Sequence, residues 1–311
     1  MVEQKIGYVG LGAMGSAIAP HVADYALKNN FPPLTLWNRS VDKYEPIKEK
    51  CPGAYFAKEL KEVTERCNVV FSCLLNDEVS LEVYGELVKG IKAKVVFIDQ
   101  SSLNPKTSVK LAEMVQQAGG VYLACPVFGL PIMAANRMLV CIMSGPKEEK
   151  EWVKPLVRSL GKELIDVGEN VATGSQTKFA GNGFLLGILE LLGELYAMLE
   201  AIGYPKAAFT ELMEKFIGSP SVSHYSKVIS EGNFDPTYGF LITTGLKDCR
   251  HILSLGSDAN PPVKLPLLEM AADNMRQAAE IDPTLDWSAM SIILRRNAGL
   301  ALLSKANEED K

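Results

Sequence analysis

A doubly wound α/β sheet followed by an all-α C-terminal region is the fold that this 311-residue sequence predicts. Three observations support it. Short apolar runs alternate with helical stretches from the start to about residue 170. Those runs are nearly continuous in apolar character, the mark of strands covered on both faces. From about Thr173 the strand signals stop and long helical periodicities take over. The predicted domains are therefore 1–170 and 171–311. No Gly/Ser linker separates them.

The candidate strands are Lys5–Gly10, Leu34–Trp37, Val69–Leu74, Val95–Asp99, Val121–Cys125, Met138–Ser144 and Glu163–Val167. Helical periodicity marks Ser80–Val88 and Pro105–Ala118 between them. In the second half Phe179–Ile202 is apolar nearly all round. Glu190, Glu194 and Glu200 argue against a membrane span, because carboxylates deep in a bilayer are costly. A helix of that kind is buried in a large core or a subunit interface. Further helices are predicted at Lys206–Ile217, Phe240–Leu255, Pro266–Glu280 and Trp287–Leu303, with a charged, frayed tail at Lys305–Lys311.

The first strand runs straight into Gly10-Leu11-Gly12-Ala13-Met14-Gly15, after which Ser16-Ala17-Ile18-Ala19 continues as a helix. Strand, Gly-x-Gly-x-x-Gly turn and helix in that order suit a dinucleotide pyrophosphate and make the sheet Rossmann-type. Gly10 permits the tight turn. Gly12 lets the backbone approach the phosphates, and Gly15 lets the helix pack close to the strand. The helix N-terminus supplies N–H groups and a partial positive charge to the anion.

The second strand ends Trp37-Asn38-Arg39-Ser40. An NAD site places Asp or Glu here to accept from the ribose 2′-hydroxyl. No carboxylate is present, and Arg39 can pair with a 2′-phosphate and stack on adenine. The reading is NADP(H), bound among Asn38, Arg39 and Ser40.

Lys178 and Asn182 open the long apolar helix, four residues apart and so on one face. A lysine desolvated there releases its proton more readily and can act as a proton donor and acceptor. The competing reading is a first-turn lysine snorkelling to solvent, and helix geometry alone leaves both open. Asn182 would hold a substrate oxygen or the lysine itself.

Composition excludes other classes. The net charge of −5 does not suit nucleic acid or an anionic membrane. Six scattered cysteines form no Cys-x-x-Cys pair and read as reduced. Three histidines with no ligand spacing predict no metal site. The first strand begins at once with no signal-peptide core, which predicts a cytoplasmic protein.

Together these residues resemble the β-hydroxyacid dehydrogenases, the family of 3-hydroxyisobutyrate dehydrogenase, glyoxylate/succinic semialdehyde reductases and the larger 6-phosphogluconate dehydrogenases. The resemblance rests on Gly7–Gly15, Asn38-Arg39-Ser40, Asp99-Gln100-Ser101-Ser102, the Gly174…Lys178…Asn182 spacing and Phe240…Leu246-Lys247-Asp248. It implies residues 1–170 as an NADP-binding domain and 171–311 as a helical substrate and dimerisation domain. It also implies hydride transfer between NADP(H) and a small aldehyde, keto acid or 3-hydroxy acid, with Lys178 as general acid/base and Asn182 orienting substrate. Cofactor contacts are implied at Leu74, Leu75, Ser101 and Lys247. Ser101, Phe128 and Gly129 would line the substrate pocket, and a homodimer or higher homo-oligomer is expected.

One segment departs from the family. Its substrate loop reads Asp-x-Pro-Val-Ser-Gly-Gly, whereas this chain has Ala124-Cys125-Pro126-Val127-Phe128-Gly129-Leu130-Pro131. Phe128 replaces the serine and Leu130 the second glycine, which favours a less polar or bulkier carbonyl compound. An imine reductase on the same fold and a non-catalytic dinucleotide-binding regulator are the alternatives, and the presence of Lys178 weighs against both. Phosphogluconate oxidation is disfavoured by the short chain and the apolar loop.

Overall fold

The computed structural model describes residues 3–300; the predicted tail and the end of the last predicted helix lie outside them. Contacts divide the chain into two compact units that meet between Lys178 and Phe179.

In the first unit every predicted strand forms, each trimmed by a residue or two at its ends or, for the last, shifted. They are β1 (Ile6–Val9), β2 (Thr35–Trp37), β4 (Val69–Ser72), β5 (Val96–Asp99), β6 (Val121–Ala124), β8 (Leu139–Met143) and β9 (Gly161–Asp166). Two short strands, β3 (Tyr55–Phe56) and β7 (Val127–Phe128), lack a periodic signal and add to them. The helices are α1 (Ala13–Lys28), α2 (Glu45–Lys48), α3 (Leu60–Arg66), α4 (Asp77–Leu87), α5 (Pro105–Gln117), α6 (Pro131–Ala135) and α7 (Lys147–Arg158).

Six strands make a parallel sheet in the order β3-β2-β1-β4-β5-β6. Alternation along each strand explains why it is covered twice. Tyr8, Phe71 and Ile98 enter one core with Ile18, Ala19 and Val22 of α1. Val9, Val70 and Phe97 enter the other with Tyr84 and Leu87 of α4 and Leu111 and Val115 of α5. The single doubly wound sheet expected from the alternation is corrected at its end. β7, β8 and β9 form a separate three-stranded sheet, antiparallel between β7 and β8 and parallel between β8 and β9. β9 is its edge and carries Lys162, Glu163 and Asp166, charges that discourage further strand pairing.

The second unit is helical, as the loss of strand periodicity predicts. It contains most of α8 (Val171–Ala201), then α9 (Lys206–Leu212), α10 (Pro220–Glu231), α11 (Ile242–Asp258), α12 (Pro266–Ile281) and α13 (Ser291–Asn297). A π-helical turn at Met213–Ile217 ends α9, and the polar-rich α10 has no strong sequence signal. The core gathers Phe179, Leu186, Leu189 and Tyr196 of α8 with Ile242, Met275 and Trp287. The other face of α8 leaves Phe184 70%, Leu191 52% and Met198 50% exposed. No helix among the described residues is long and apolar enough to cross a membrane.

Candidate active site

The glycine turn has the three conformations that its spacing predicts. Gly10 sits at φ +94°, and a Cβ there would lie 2.3 Å from the Cys73 carbonyl oxygen. A Cβ on Gly15 would lie 1.9 Å from the Gly10 carbonyl oxygen, so α1 reaches the strand end only because the side chain is missing. Around Gly12 the Cβ direction is open for 4 Å. Gly12 caps α1 without a side-chain hydrogen bond, and no acid occupies the first turn. The N–H groups of Ala13, Met14 and Gly15 therefore face an open cradle that fits a pyrophosphate.

Asn38 locks this turn. Its Oδ1 accepts from Leu11 N at 2.8 Å, and its Nδ2 donates to the Ser40 carbonyl at 2.9 Å. Gly10 N donates to the Trp37 carbonyl, tying β1 to β2 at the same level. The Asn38 amide is thus spent on the loop, while Arg39 and Ser40 beyond it are exposed.

At the ends of β4 and β5 lies a buried hub that the sequence motif contains but does not explain. Asp99 is 1% exposed. Its Oδ1 accepts from Ser72 Oγ, Ser101 N and Ser101 Oγ, and its Oδ2 accepts from the Tyr122 hydroxyl. Burial pushes its carboxyl above the ordinary value, against the pull of those donors. Ser101 Oγ in turn accepts from Leu74 N at 2.8 Å. Asp99 therefore fixes the two loops that carry Leu74, Leu75 and Ser101. Leu75 extends outward, 68% exposed.

The start of α8 belongs to this same unit. Gly174 N donates to Ser144 Oγ and Ser175 pairs with Ser108, which docks the helix start on the ends of β8 and α5. Lys178 follows one turn later, 7% exposed. Its Nζ lies over the ring of Phe128, 4.0 Å from the centroid. α8 begins at Val171, so Lys178 lies about two turns inside the helix and does not open it, and its side chain is not splayed into solvent. Gly129 turns the chain at φ +136° after that ring, and Leu130 caps the short α6.

In the helical unit Asn182 is 3% exposed and donates from Nδ2 to Asp248 Oδ2 at 2.7 Å. A carboxylate only accepts, so this bond sets the amide and turns Oδ1 away from Asp248. Lys247 Nζ lies 3.3 Å from Asp248 Oδ1. Asp248 is fully buried. It is the residue that sequence reasoning passed over, although its signal, an acid beside Lys247 in the last motif, was present.

This fold and cradle define a dinucleotide-binding oxidoreductase scaffold, and comparison with known proteins agrees. Residues 5–169 match the family described as the NAD binding domain of 6-phosphogluconate dehydrogenase. The uncharacterized oxidoreductase YfjR of Bacillus subtilis is 33% identical over 290 residues, which cover 92% of this chain and 98% of YfjR. The NADH-dependent oxidoreductase ucdB of Aspergillus ustus is 24% identical over 92% of this chain and 98% of its own. The solved structure of 3-hydroxyisobutyrate dehydrogenase from Mycobacterium tuberculosis with L-serine superposes at a TM-score of 0.81. It is 19% identical and covers 94% of this chain and 100% of that one. The chain belongs to the β-hydroxyacid dehydrogenase family, as an oxidoreductase with a nicotinamide-dinucleotide-binding domain.

Proposed function

We propose that the chain is an NADP(H)-dependent reductase and dehydrogenase acting on small carbonyl and hydroxy compounds, with Lys178 as its general acid and base. The observation that carries this reading is the buried Lys178, its ammonium held over Phe128 instead of in solvent. When bound, the nicotinamide supplies the hydride; the protein supplies orientation and the proton path. In reduction Lys178 Nζ donates a proton to the carbonyl oxygen, and in oxidation it takes the proton back. Asn182 is assigned the orienting of substrate: within the helical unit Asp248 holds its Nδ2, which leaves Oδ1 to accept a hydrogen bond. Gly10–Gly15 hold the pyrophosphate on backbone N–H groups. Leu74 and Ser101, fixed by Asp99, support the nicotinamide end.

Arg39 supports NADP(H) over NAD(H). Its exposed guanidinium follows a strand tip with no carboxylate, which leaves a 2′-phosphate a cationic partner. The NADH-dependent relative makes this a question for this chain alone. The exposed Phe184, Leu191 and Met198 recur every seven residues on one face of α8, and we assign that stripe to a second copy of the chain. The six cysteines form no disulfide, which suits a reducing, cytoplasmic compartment.

The test is nicotinamide oxidation, with NADPH and NADH in parallel, against glyoxylate, succinic semialdehyde, methylmalonate semialdehyde, bulky aldehydes and cyclic imines. Reduction of carbonyl compounds by NADPH is expected. Turnover of the imines alone would move the chain to imine reduction, and no turnover at all would leave a dinucleotide-binding regulator.

A further inference from the structure

The substrate loop has exchanged a hydrogen-bonding side chain for an aromatic ring, and that ring lies under the lysine. Phe128 occupies the serine position of the family's loop. From Phe128 to Met133 the chain reads Phe-Gly-Leu-Pro-Ile-Met, with no polar side chain. Pro131 also removes one backbone donor. A carboxylate arriving here would meet no hydroxyl from the loop. It would meet instead the face of a benzene ring, which carries partial negative charge.

The same face attracts a cation. Lys178 Nζ stands 4.0 Å from the Phe128 centroid, within the range of a cation–π contact. Lys178 is 7% exposed, so water does not screen the contact and it falls at the strong end of that range. Phe128 lies on β7, paired with Val140 of β8, and Lys178 lies on the docked start of α8. Both partners are held by regular structure within one compact unit.

We infer that Phe128 is a positioning residue that seats the Lys178 ammonium, and that this loop selects carbonyl substrates with no carboxylate next to the reacting group. The inference rests on the reading of Lys178 as the proton donor. In the family pattern the loop hydroxyl is free to hold an anionic substrate group. Here the loop serves the lysine: its ring face is taken up by the ammonium and repels an anion, and no loop hydroxyl is left to hold one.

Two independent measurements test this. The first needs no activity. Competitive labelling of Lys178 by acetic anhydride, followed across pH by peptide mass, reports the fraction of free amine. Removing the ring face in Phe128→Leu should shift the onset of labelling to lower pH by about one unit. Phe128→Tyr keeps the face and should retain the original profile. Superimposed Leu and parent curves would overturn the seat. The binding of NADPH by fluorescence shows that each variant has folded.

The second compares kcat/KM for glyoxylate, whose carboxylate adjoins the reacting carbonyl, and for its methyl ester, which differ by one charge. The parent should prefer the ester by about tenfold or more, and Phe128→Ser should erase most of that preference. A parent that prefers the free acid would overturn the selectivity while the reductase reading stands. Failure to reduce either compound, with the labelling shift intact, would overturn the reductase reading and the selectivity together, and the seat would stand.

Discussion

The glycine turn and the substrate loop lie in one unit and obey different constraints. The turn is made of backbone. Gly10 and Gly15 touch main-chain atoms where no Cβ fits, and Gly12 opens onto space. The loop at Val127–Leu130 is made of side chains, and its contact with Lys178 is a ring face. A pyrophosphate is the same in every dinucleotide, so a backbone cradle has one solution. Substrates vary, and a loop can change one side chain without disturbing the sheet beneath it. Within one unit, then, the turn is set by backbone sterics and the loop by the side chains it carries.

The largest test of that division removes the lysine. Lys178→Ala should lower kcat by about 10²- to 10⁴-fold, the usual size of a lost general acid. NADPH affinity, measured by fluorescence titration, should be unchanged, because Lys178 takes no part in the cradle. A parallel fall in affinity would break the separation between the two regions.

The turn is tested by two glycines with opposite surroundings. In Gly15→Ala the new methyl meets the Gly10 carbonyl, a backbone group that cannot swing aside. Destabilisation of about 3 kcal/mol is expected, with loss of dinucleotide binding. Gly12→Ala meets nothing and should melt like the parent, yet bind the dinucleotide more weakly, since the methyl fills the space left for phosphate. Equal melting temperatures for the two variants would contradict the assigned roles.

Cofactor choice at the rim of the turn is a smaller effect. Arg39→Ala should raise KM for NADPH by about 10- to 100-fold, the worth of hydrogen bonds to a charged group, and leave KM for NADH nearly unmoved. An equal change for both nicotinamides would return Arg39 to the surface.

Much of this was legible in residues alone. The turn was, because glycine is the sole residue that meets its sterics and its spacing is rigid. Five strands of the six-stranded sheet were, because strands covered on both faces must be apolar throughout, whereas β3, two residues long, carried no signal. The three-stranded sheet was not: β7 has two residues, too few for a period, and β9 is mostly exposed, so pairing decides its place. Lys178 was visible as a lysine at the head of an apolar helix, but its two readings differ by where the side chain goes, which depends on Phe128, fifty residues earlier. Asp248 and Asp99 sat inside recognised motifs, yet their work is to hold Asn182, Ser101 and Ser72. Partnerships of that kind appear only when the chain is folded.

Asp99 joins the two regions and gives the smallest and most discriminating test. Its donors come from Ser72 at the end of β4, Ser101 in the next loop and Tyr122 on β6, the strand that leads into the substrate loop. Asp99→Asn can keep the three bonds to Oδ1 and turn its amide toward the Tyr122 hydroxyl, so a loss of only about 1 kcal/mol is expected at pH 4. The pH dependence follows from the raised carboxyl. An acid whose folded value lies above its ordinary 3.8 favours the protonated form in the fold. Its contribution is therefore greatest below 3.8 and declines as pH rises toward the folded value. The asparagine does not titrate, so its deficit should shrink from pH 4 toward neutrality in urea denaturation. A deficit that widens instead would mean that the four donors outweigh burial and hold Asp99 ionised, making the joint between turn and loop a charged clamp.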